Sequence, residues 1–357
     1  MANDRYALIM AGGRGTRFWP RSRKRNAKQV LRFFGDRSLI QQAVDRLEGV
    51  VPPENIWILT NDFLQEKIRK QLPRIPKKQI LAEPSQQNTA PCIALAAHIL
   101  ADLSPEAVMG VFPADHLILK EGRFRKFVKA AFKAAEKNDV VVLGIQPRWA
   151  ETGYGYIEFP QNIAPGSFEM ATVSSFREKP DEKTANQFVK AGHFFWNAGM
   201  FFWKASTVLE LMRQHQPKTA TLLASLPSFK SKKFTAKLQE VYPLCDNISV
   251  DYAVIEKAKN VAGIALDDIG WNDVGSWEAV YELTEKDGNG NASQGEMIVE
   301  NSRGNYVSAE KTVALVGVEN LVVVDTPDAL LIANRTRSQD VSKIVKILDA
   351  QKREELL

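Results

Sequence analysis

The chain has 357 residues, of which 45% are hydrophobic and 25% charged, and a formal net charge of +5. That length and composition fit a globular protein with one large α/β domain and a smaller one. The longest apolar runs are strand-sized, which excludes a membrane-spanning helix, and the N-terminus has no secretory-signal pattern. The two cysteines, Cys92 and Cys245, stand far apart without neighbouring Cys or His at metal-ligand spacing. A disulfide framework and a zinc site are therefore not expected, and a cytoplasmic location is.

In chain order, Tyr6 to Ala11 reads as a buried strand ended by Gly12-Gly13. Apolar residues at spacings of three and four predict a helix over Leu39 to Leu47, followed by a strand over Ile56 to Thr60. A short strand at Gln79 to Leu81 leads into an alanine-rich helix over Ala90 to Leu100. A strand over Ala107 to Phe112, an amphipathic helix over Phe124 to Ala135 and a strand over Val140 to Ile145 come next. Continuously apolar strands alternating with helices predict a mostly parallel mixed sheet of Rossmann-like α/β type, covered on both faces. Such sheets bind ligands at the carboxyl ends of their strands. The aromatic crowd from Phe194 to Trp203 reads as a further buried strand and its flanks.

Residues 285–291 form a polar, turn-rich linker. Beyond it lie short apolar runs at Met297 to Val299, Asn305 to Val307, Val313 to Val316, Leu321 to Val324 and Ala329 to Ala333. Their close spacing without helices predicts a small β-helix-like unit, closed by an amphipathic helix over Ser338 to Leu348. The expected domains are 1–284, carrying the chemistry, and 292–357.

From Arg5 to Arg32 the chain carries many Arg and Lys and no acid after Asp4 until Asp36. A segment of this kind suits nucleic acid, an acidic membrane or a polyphosphate. The glycines of Ala11-Gly12-Gly13-Arg14-Gly15-Thr16-Arg17 favour the polyphosphate, because glycine lets backbone N–H groups approach an anion; nucleic acid and membrane are not expected partners. The loop is neither a Walker A motif nor a dinucleotide fingerprint, since Phe18 stands where a third glycine would be. With Arg17 and Lys28-Gln29 it makes a cationic pocket suited to a triphosphate. Arg21, Arg23, Lys24 and Arg25 read equally well as a solvated basic loop.

Gly12-Gly13-Arg14-Gly15-Thr16-Arg17-Phe18-Trp19-Pro20-x-Ser22, followed by Lys28-Gln29, resembles the signature of the bacterial mannose-1-phosphate guanylyltransferases, within the sugar-1-phosphate nucleotidyltransferase superfamily. The resemblance continues in order along nearly the whole chain. It implies a Mg²⁺-dependent cytoplasmic enzyme, a homodimer, that makes GDP-mannose and diphosphate from GTP and mannose 1-phosphate. It implies nucleotide contacts at Ala11, Gly12, Gly13, Gly15 and Thr16, with Arg17 and Lys28 on the triphosphate. Glu83-Pro84 and Asn88-Thr89 resemble the part that reads the base; they also read as a turn and a helix N-cap.

Pro113-Ala114-Asp115-His116 and Trp271-Asn272-Asp273 resemble the two metal segments, making Asp115 and Asp273 the expected Mg²⁺ ligands. His116 reads as structural. Tyr154-Gly155 and Glu178-Lys179-Pro180 resemble the sugar-phosphate side. Glu178 would bind sugar hydroxyls, Lys179 the sugar's phosphate, and Asn197 the sugar. Two positions depart from the pattern: Ala27 stands where Pro is usual, and Gln87 where a basic residue is usual. Some relatives carry a phosphomannose isomerase domain, which this chain is expected to lack; its four histidines are scattered. The rival readings are another sugar and nucleotide pair, such as glucose 1-phosphate with UTP, a catalytically silent nucleotide-sugar-binding subunit, and a glycosyltransferase. The absence of an Asp-x-Asp motif weakens the last.

Overall fold

The computed structural model describes residues 4–137 and 140–357. Its centre is a ten-stranded mixed sheet. Along the sheet the order is Ile80–Ala82, Ile56–Thr60, Arg5–Met10, Val108–Pro113, Phe194–Lys204, Val140–Ile145, Val261–Leu266 and Met170–Thr172. The first four are mutually parallel, as are Val140–Ile145 and Val261–Leu266. Phe194–Lys204 runs antiparallel between the two groups.

The uniformly apolar strands follow from burial on both faces. Ile56–Thr60, Val140–Ile145 and Val261–Leu266 are buried at every residue. On one face, Ile9, Phe112, Leu143 and Phe202 pack with Phe124, Phe127 and Phe132 of the helix Glu121–Ala135. On the other, Leu8, Leu59, Val111 and Trp203 meet the helix Thr89–Leu103. Ala90, Ala94, Ala96 and Ala97 are all buried in that helix and let it lie close on the sheet, which is why it reads as a buried helix rather than an amphipathic one.

The aromatic run Phe194–Lys204 is a single strand of 11 residues, and it is the sheet's main antiparallel insertion. Its register against Val140–Ile145 shifts between Asn197 and Phe201, around Gly199 with φ 65°. A bulge of this kind re-aims side chains locally, and here it occurs at the carboxyl edge where the sheet meets its cleft.

The C-terminal unit is a short β-helix-like stack. Ala292–Gln294, Tyr306–Ser308 and Leu321–Thr326 pair in parallel, with Ala329–Asn334 antiparallel at the edge. Met297–Glu300 pairs in parallel with Val313–Val316 to make the second wall. Val307, Ala309, Leu315 and Val323 fill the space between. The turns are tied by a ladder of buried asparagines. Asn291 Oδ1 accepts from Asn305 Nδ2 at 2.9 Å, and Asn305 Oδ1 accepts from the Leu321 N–H at 2.9 Å. The closing helix covers Val341–Ala350 rather than starting at Ser338. Arg335–Asp340 forms a tighter 3₁₀ segment, with the Asn334 side chain capping the Thr336 N–H at 3.0 Å. Among the described residues no helix is long and apolar enough to cross a membrane.

A separate aromatic cluster joins this unit to the basic loop. Trp277, fully buried, lies 5.3 Å from Phe18, 5.9 Å from Phe33 and 5.8 Å from Tyr306 between ring centroids. Its indole N–H donates to the Trp19 carbonyl at 3.3 Å. Trp277→Ala is expected to lower stability by about 3–5 kcal/mol, measured by urea unfolding; a loss under about 1 kcal/mol would mean that the cluster does not brace the loop.

Candidate active site

The carboxyl ends of Arg5–Met10 and Val108–Pro113 open into a cleft of about 450 Å³. One wall is the glycine-rich loop. Gly15 has φ 60°, and a Cβ there would lie 2.5 Å from the Lys28 Cβ, so both conformation and space require glycine. The loop's carbonyls are tied back into the protein: Gln29 Nε2 donates to Ala11 at 2.6 Å and Gly13 at 3.0 Å, and Thr60 Oγ1 to Ala11 at 2.9 Å. Ser22 Oγ donates to the Arg14 carbonyl at 2.8 Å. Among the described residues, the N–H groups of Gly12, Gly13 and Arg14 have no protein acceptor, which is the arrangement of an anion cradle.

Lys28 is 6% exposed. Its ammonium donates to Asp115 Oδ2 at 2.8 Å and to the Asp273 carbonyl at 2.6 Å. Burial alone would raise the Asp115 carboxyl, but the Lys28 charge, His116 and the Lys28 hydrogen bond outweigh it and hold the group below its usual value. Burial pushes the neighbouring His116 down to about 4. The Trp271 indole N–H donates to its Nδ1 at 3.2 Å, so the ring is neutral at physiological pH and serves as an acceptor. Asp273 Oδ1 accepts from the Tyr154 hydroxyl at 2.6 Å; burial and then the Asp273 charge push that phenol far up.

Asp115 and Asp273 thus commit one carboxylate oxygen each to a fixed partner and face the same cleft. Among the described residues no group of three or more His, Cys, Asp or Glu could hold a metal alone. Two carboxylates completed by substrate oxygens fit a hard divalent cation of the Mg²⁺ kind, which keeps part of its shell for phosphate and water.

At the other side of the glycine loop, the Tyr242 hydroxyl donates to Glu83 Oε1 and the Cys92 thiol bonds the same carboxylate. Burial pushes Glu83 up to about 7 despite these donors. A Cβ on Gly12 would lie 3.2 Å from Glu83 Oε2, so carboxylate and loop nearly touch. Asn88 adopts φ 67° and accepts from the Thr89 N–H at 2.9 Å, while Thr89 Oγ1 accepts from the Val250 N–H at 2.8 Å. Both residues line the cleft while also making the helix start. Gln87 Nε2 donates to the Pro243 carbonyl at 2.8 Å.

The far wall carries Glu178, its side chain 9% exposed and paired with the Lys179 ammonium at 2.9 Å. A Cβ on Gly155 would run into Glu178, so glycine here is a matter of room. The Asn197 N–H donates to the Gly155 carbonyl at 2.8 Å. The Asn197 side chain donates to Asp251 Oδ1 at 2.9 Å and accepts from the Gly199 N–H at 3.0 Å.

Of the residues singled out in the sequence, Ala11, Gly12, Gly13, Gly15, Lys28, Glu83, Asn88 and Thr89 line this one cleft, as do Asp115, Tyr154, Gly155, Glu178, Asn197 and Asp273. Thr16, Arg17, Pro84 and Lys179 stand outside its lining. The exposed Arg17 guanidinium donates to the Gly275 carbonyl at 3.3 Å, and Lys179 is exposed beside Glu178. Arg21, Arg23 and Lys24 face the C-terminal unit instead. Arg21 donates to Gln294 Oε1 at 2.8 Å and Ser308 Oγ at 3.2 Å, Arg23 pairs with Asp328 at 3.0 Å, and Lys24 pairs with Glu354. Asp251 also lines the cleft, and sequence reasoning misses it. An acid in the first turn of the short helix Val250–Ala253 is ordinary in sequence, so no local signal marks it.

An α/β sheet with a glycine cradle, a buried lysine and two carboxylates at its carboxyl edge is the architecture of an enzyme acting on phosphorylated nucleotides. The chain belongs to the nucleotidyl transferase family, whose model matches residues 6–290. Residues 295–348 match the MannoseP isomerase/GMP-like beta-helix domain. The chain is 38% identical over 353 residues to a mannose-1-phosphate guanylyltransferase of Escherichia coli, covering 98% of this chain and 74% of that one. It is 38% identical over 360 residues to the alginate biosynthesis protein AlgA of Pseudomonas aeruginosa, covering 98% and 73%. A solved structure described as mannose-1-phosphate geranyltransferase from Thermus thermophilus superposes with a TM-score of 0.85 at 32% identity, covering 97% of this chain and 99% of that one. The chain is accordingly a nucleotidyltransferase, and the mixed α/β fold with its β-helix-like C-terminal unit is shared with that structure.

Because Lys28 holds Asp115 ionised, Lys28→Met is expected to bring the Asp115 carboxyl up into or above the usual carboxylate range. Carboxyl ¹³C titration by NMR reads this directly, and an unmoved Asp115 would show that Lys28 is not its controlling partner.

Proposed function

We propose that the chain is a mannose-1-phosphate guanylyltransferase, joining GTP and mannose 1-phosphate into GDP-mannose with release of diphosphate. The observation that carries this is one cleft combining an acceptor at Glu83, the Lys28–Asp115–Asp273 clasp and Glu178, with Lys179 at its margin. The names of the relatives at 38% identity support the choice of sugar and nucleotide.

A phosphate oxygen of the sugar phosphate attacks the α-phosphorus of GTP, and the bond from that phosphorus to the bridging oxygen of diphosphate breaks. No general base is required, because a phosphate monoester with a second pKa of about 6 is largely dianionic at neutral pH. The obstacle is repulsion between two polyanions, so the enzyme's task is positioning and charge compensation. The free N–H groups of the glycine loop and Lys28 would hold the triphosphate. Arg17, beside the loop, would meet the departing diphosphate, and Lys179 would steer the attacking phosphate. Asp115 and Asp273 are the residues that would hold Mg²⁺, which when bound supplies charge neutralisation at the reacting phosphate. Glu83, as a carboxylate, matches the adjacent N1–H and exocyclic amine donors of guanine.

The direct test is diphosphate release by the purified protein with Mg²⁺ across four nucleoside triphosphates and a panel of sugar 1-phosphates. Turnover confined to GTP with mannose 1-phosphate is expected; turnover of another pair would keep the chemistry and overturn the specificity. The guanine contact makes a separate prediction. Glu83 titrates at about 7 in the free protein, and its ionised form is the acceptor. The kcat/KM for GTP should therefore fall as pH drops below that value and level off above it. Glu83→Gln should remove this limb while lowering kcat/KM at about pH 8, where the wild-type carboxylate is ionised; an unchanged limb in the variant would take Glu83 out of base recognition.

A further inference from the structure

Both polar side-chain atoms of Asn197 are engaged by the protein, the amide nitrogen donating to Asp251 and the oxygen accepting from Gly199, with one N–H and one lone pair to spare. The bulge that begins at Asn197 fixes both contacts. What Asn197 holds is a second carboxylate in the cleft, beside Glu178. Burial first, and then the Glu178 charge, push Asp251 up to about 6, with the Asn197 bond and Lys179 opposing. The charged groups acting here are thus Glu178 and Lys179; the Tyr252 hydroxyl, on the next residue, also acts on Lys179.

When ionised, two carboxylates facing one cleft accept at every oxygen and donate at none. The Lys179 ammonium already compensates Glu178 at 2.9 Å, and Asn197 gives Asp251 one donor at 2.9 Å. The acceptor positions that remain call for further donors, and a polyol supplies them. Building on the sugar-phosphate reading above, we propose that Asp251 is a substrate-binding carboxylate that accepts hydrogen bonds from the sugar's hydroxyls together with Glu178, and that Asn197 is the positioning residue that aims it. A pair of acceptors fixed to the scaffold reads the relative orientation of two hydroxyls, because inverting one leaves a buried acceptor unpaired.

The test compares Asp251→Ala and the near-isosteric Asp251→Asn with wild type in the full enzyme. Asp251→Ala should raise the KM for mannose 1-phosphate roughly ten- to a hundredfold and leave the KM for GTP within about twofold. Calorimetric affinity of wild type for GDP-mannose should rise with pH in two components, one through about 6 as Asp251 ionises and one through about 7 as Glu83 does. In Asp251→Asn, whose side-chain oxygen still accepts from Asn197, the lower component should be lost and the upper one kept. An unchanged sugar KM in Asp251→Ala, or equal increases for both substrates, overturns the assignment and leaves the proposed function standing. A changed Mg²⁺ requirement with an unchanged sugar KM would make Asp251 a cation ligand and likewise overturn it. Wild type that turns over no sugar phosphate sinks the functional reading, and this assignment with it.

Discussion

The site depends on one buried lysine. Lys28 is a charge with almost no access to water, and it is kept there by Asp115 and by the backbone of Asp273. A buried cation without partners would be costly, so the three segments must arrive together or not at all. The glycine loop then packs against Lys28 so closely that residue 15 has no room for a side chain. Loop, lysine and both aspartates are in effect one part built from three distant stretches of chain. The same clasp keeps Asp115 ionised and leaves a phosphate nothing to displace except water and the lysine's own contacts.

That part is braced from behind. The arginines and lysine after the glycine loop bond the β-helix-like unit, and Trp277 joins the loop's aromatics to Tyr306 of that unit. The C-terminal unit contributes no residue to the cleft lining. Its part in the site is mechanical, acting through the loop that carries Lys28. Arg21, Arg23 and Lys24 thus do not line the cleft, and they are not free in solvent either.

Much of this is legible in the sequence because it is local. An apolar run ended by glycine, or by Pro-Ala-Asp, predicts a strand with its functional residue at the carboxyl edge, and Gly15, Asp115 and Glu83 all stand so. The Ala90 to Leu100 helix and the closely spaced C-terminal strands are legible for the same reason. What cannot be read is pairing over distance. The aromatic run of Phe194–Lys204 shows a buried strand but not that it runs antiparallel through a parallel sheet. Asn197 reads as a sugar ligand from its motif, and nothing local shows that its amide also turns to Asp251, 54 residues on. Motif alone groups Arg17 and Lys179 with the cleft, and their long side chains place them at its margin.

The asparagine ladder of the C-terminal unit bears on how many coils the unit can hold. Within the stack the ladder and the parallel strands link each coil to the coil before and after it, so the stack's internal stability approximates a nearest-neighbour sum. Tyr306, Gln294 and Ser308, which touch the catalytic loop, belong to the first two coils of the stack. The loop also rests on the far end of the unit, through Arg23 with Asp328, Lys24 with Glu354 and the Trp19 indole with the Leu356 carbonyl. A coil added or lost in between would move one of these supports relative to the other, so the number of coils is tied to the loop that carries Lys28 and through it to the cleft.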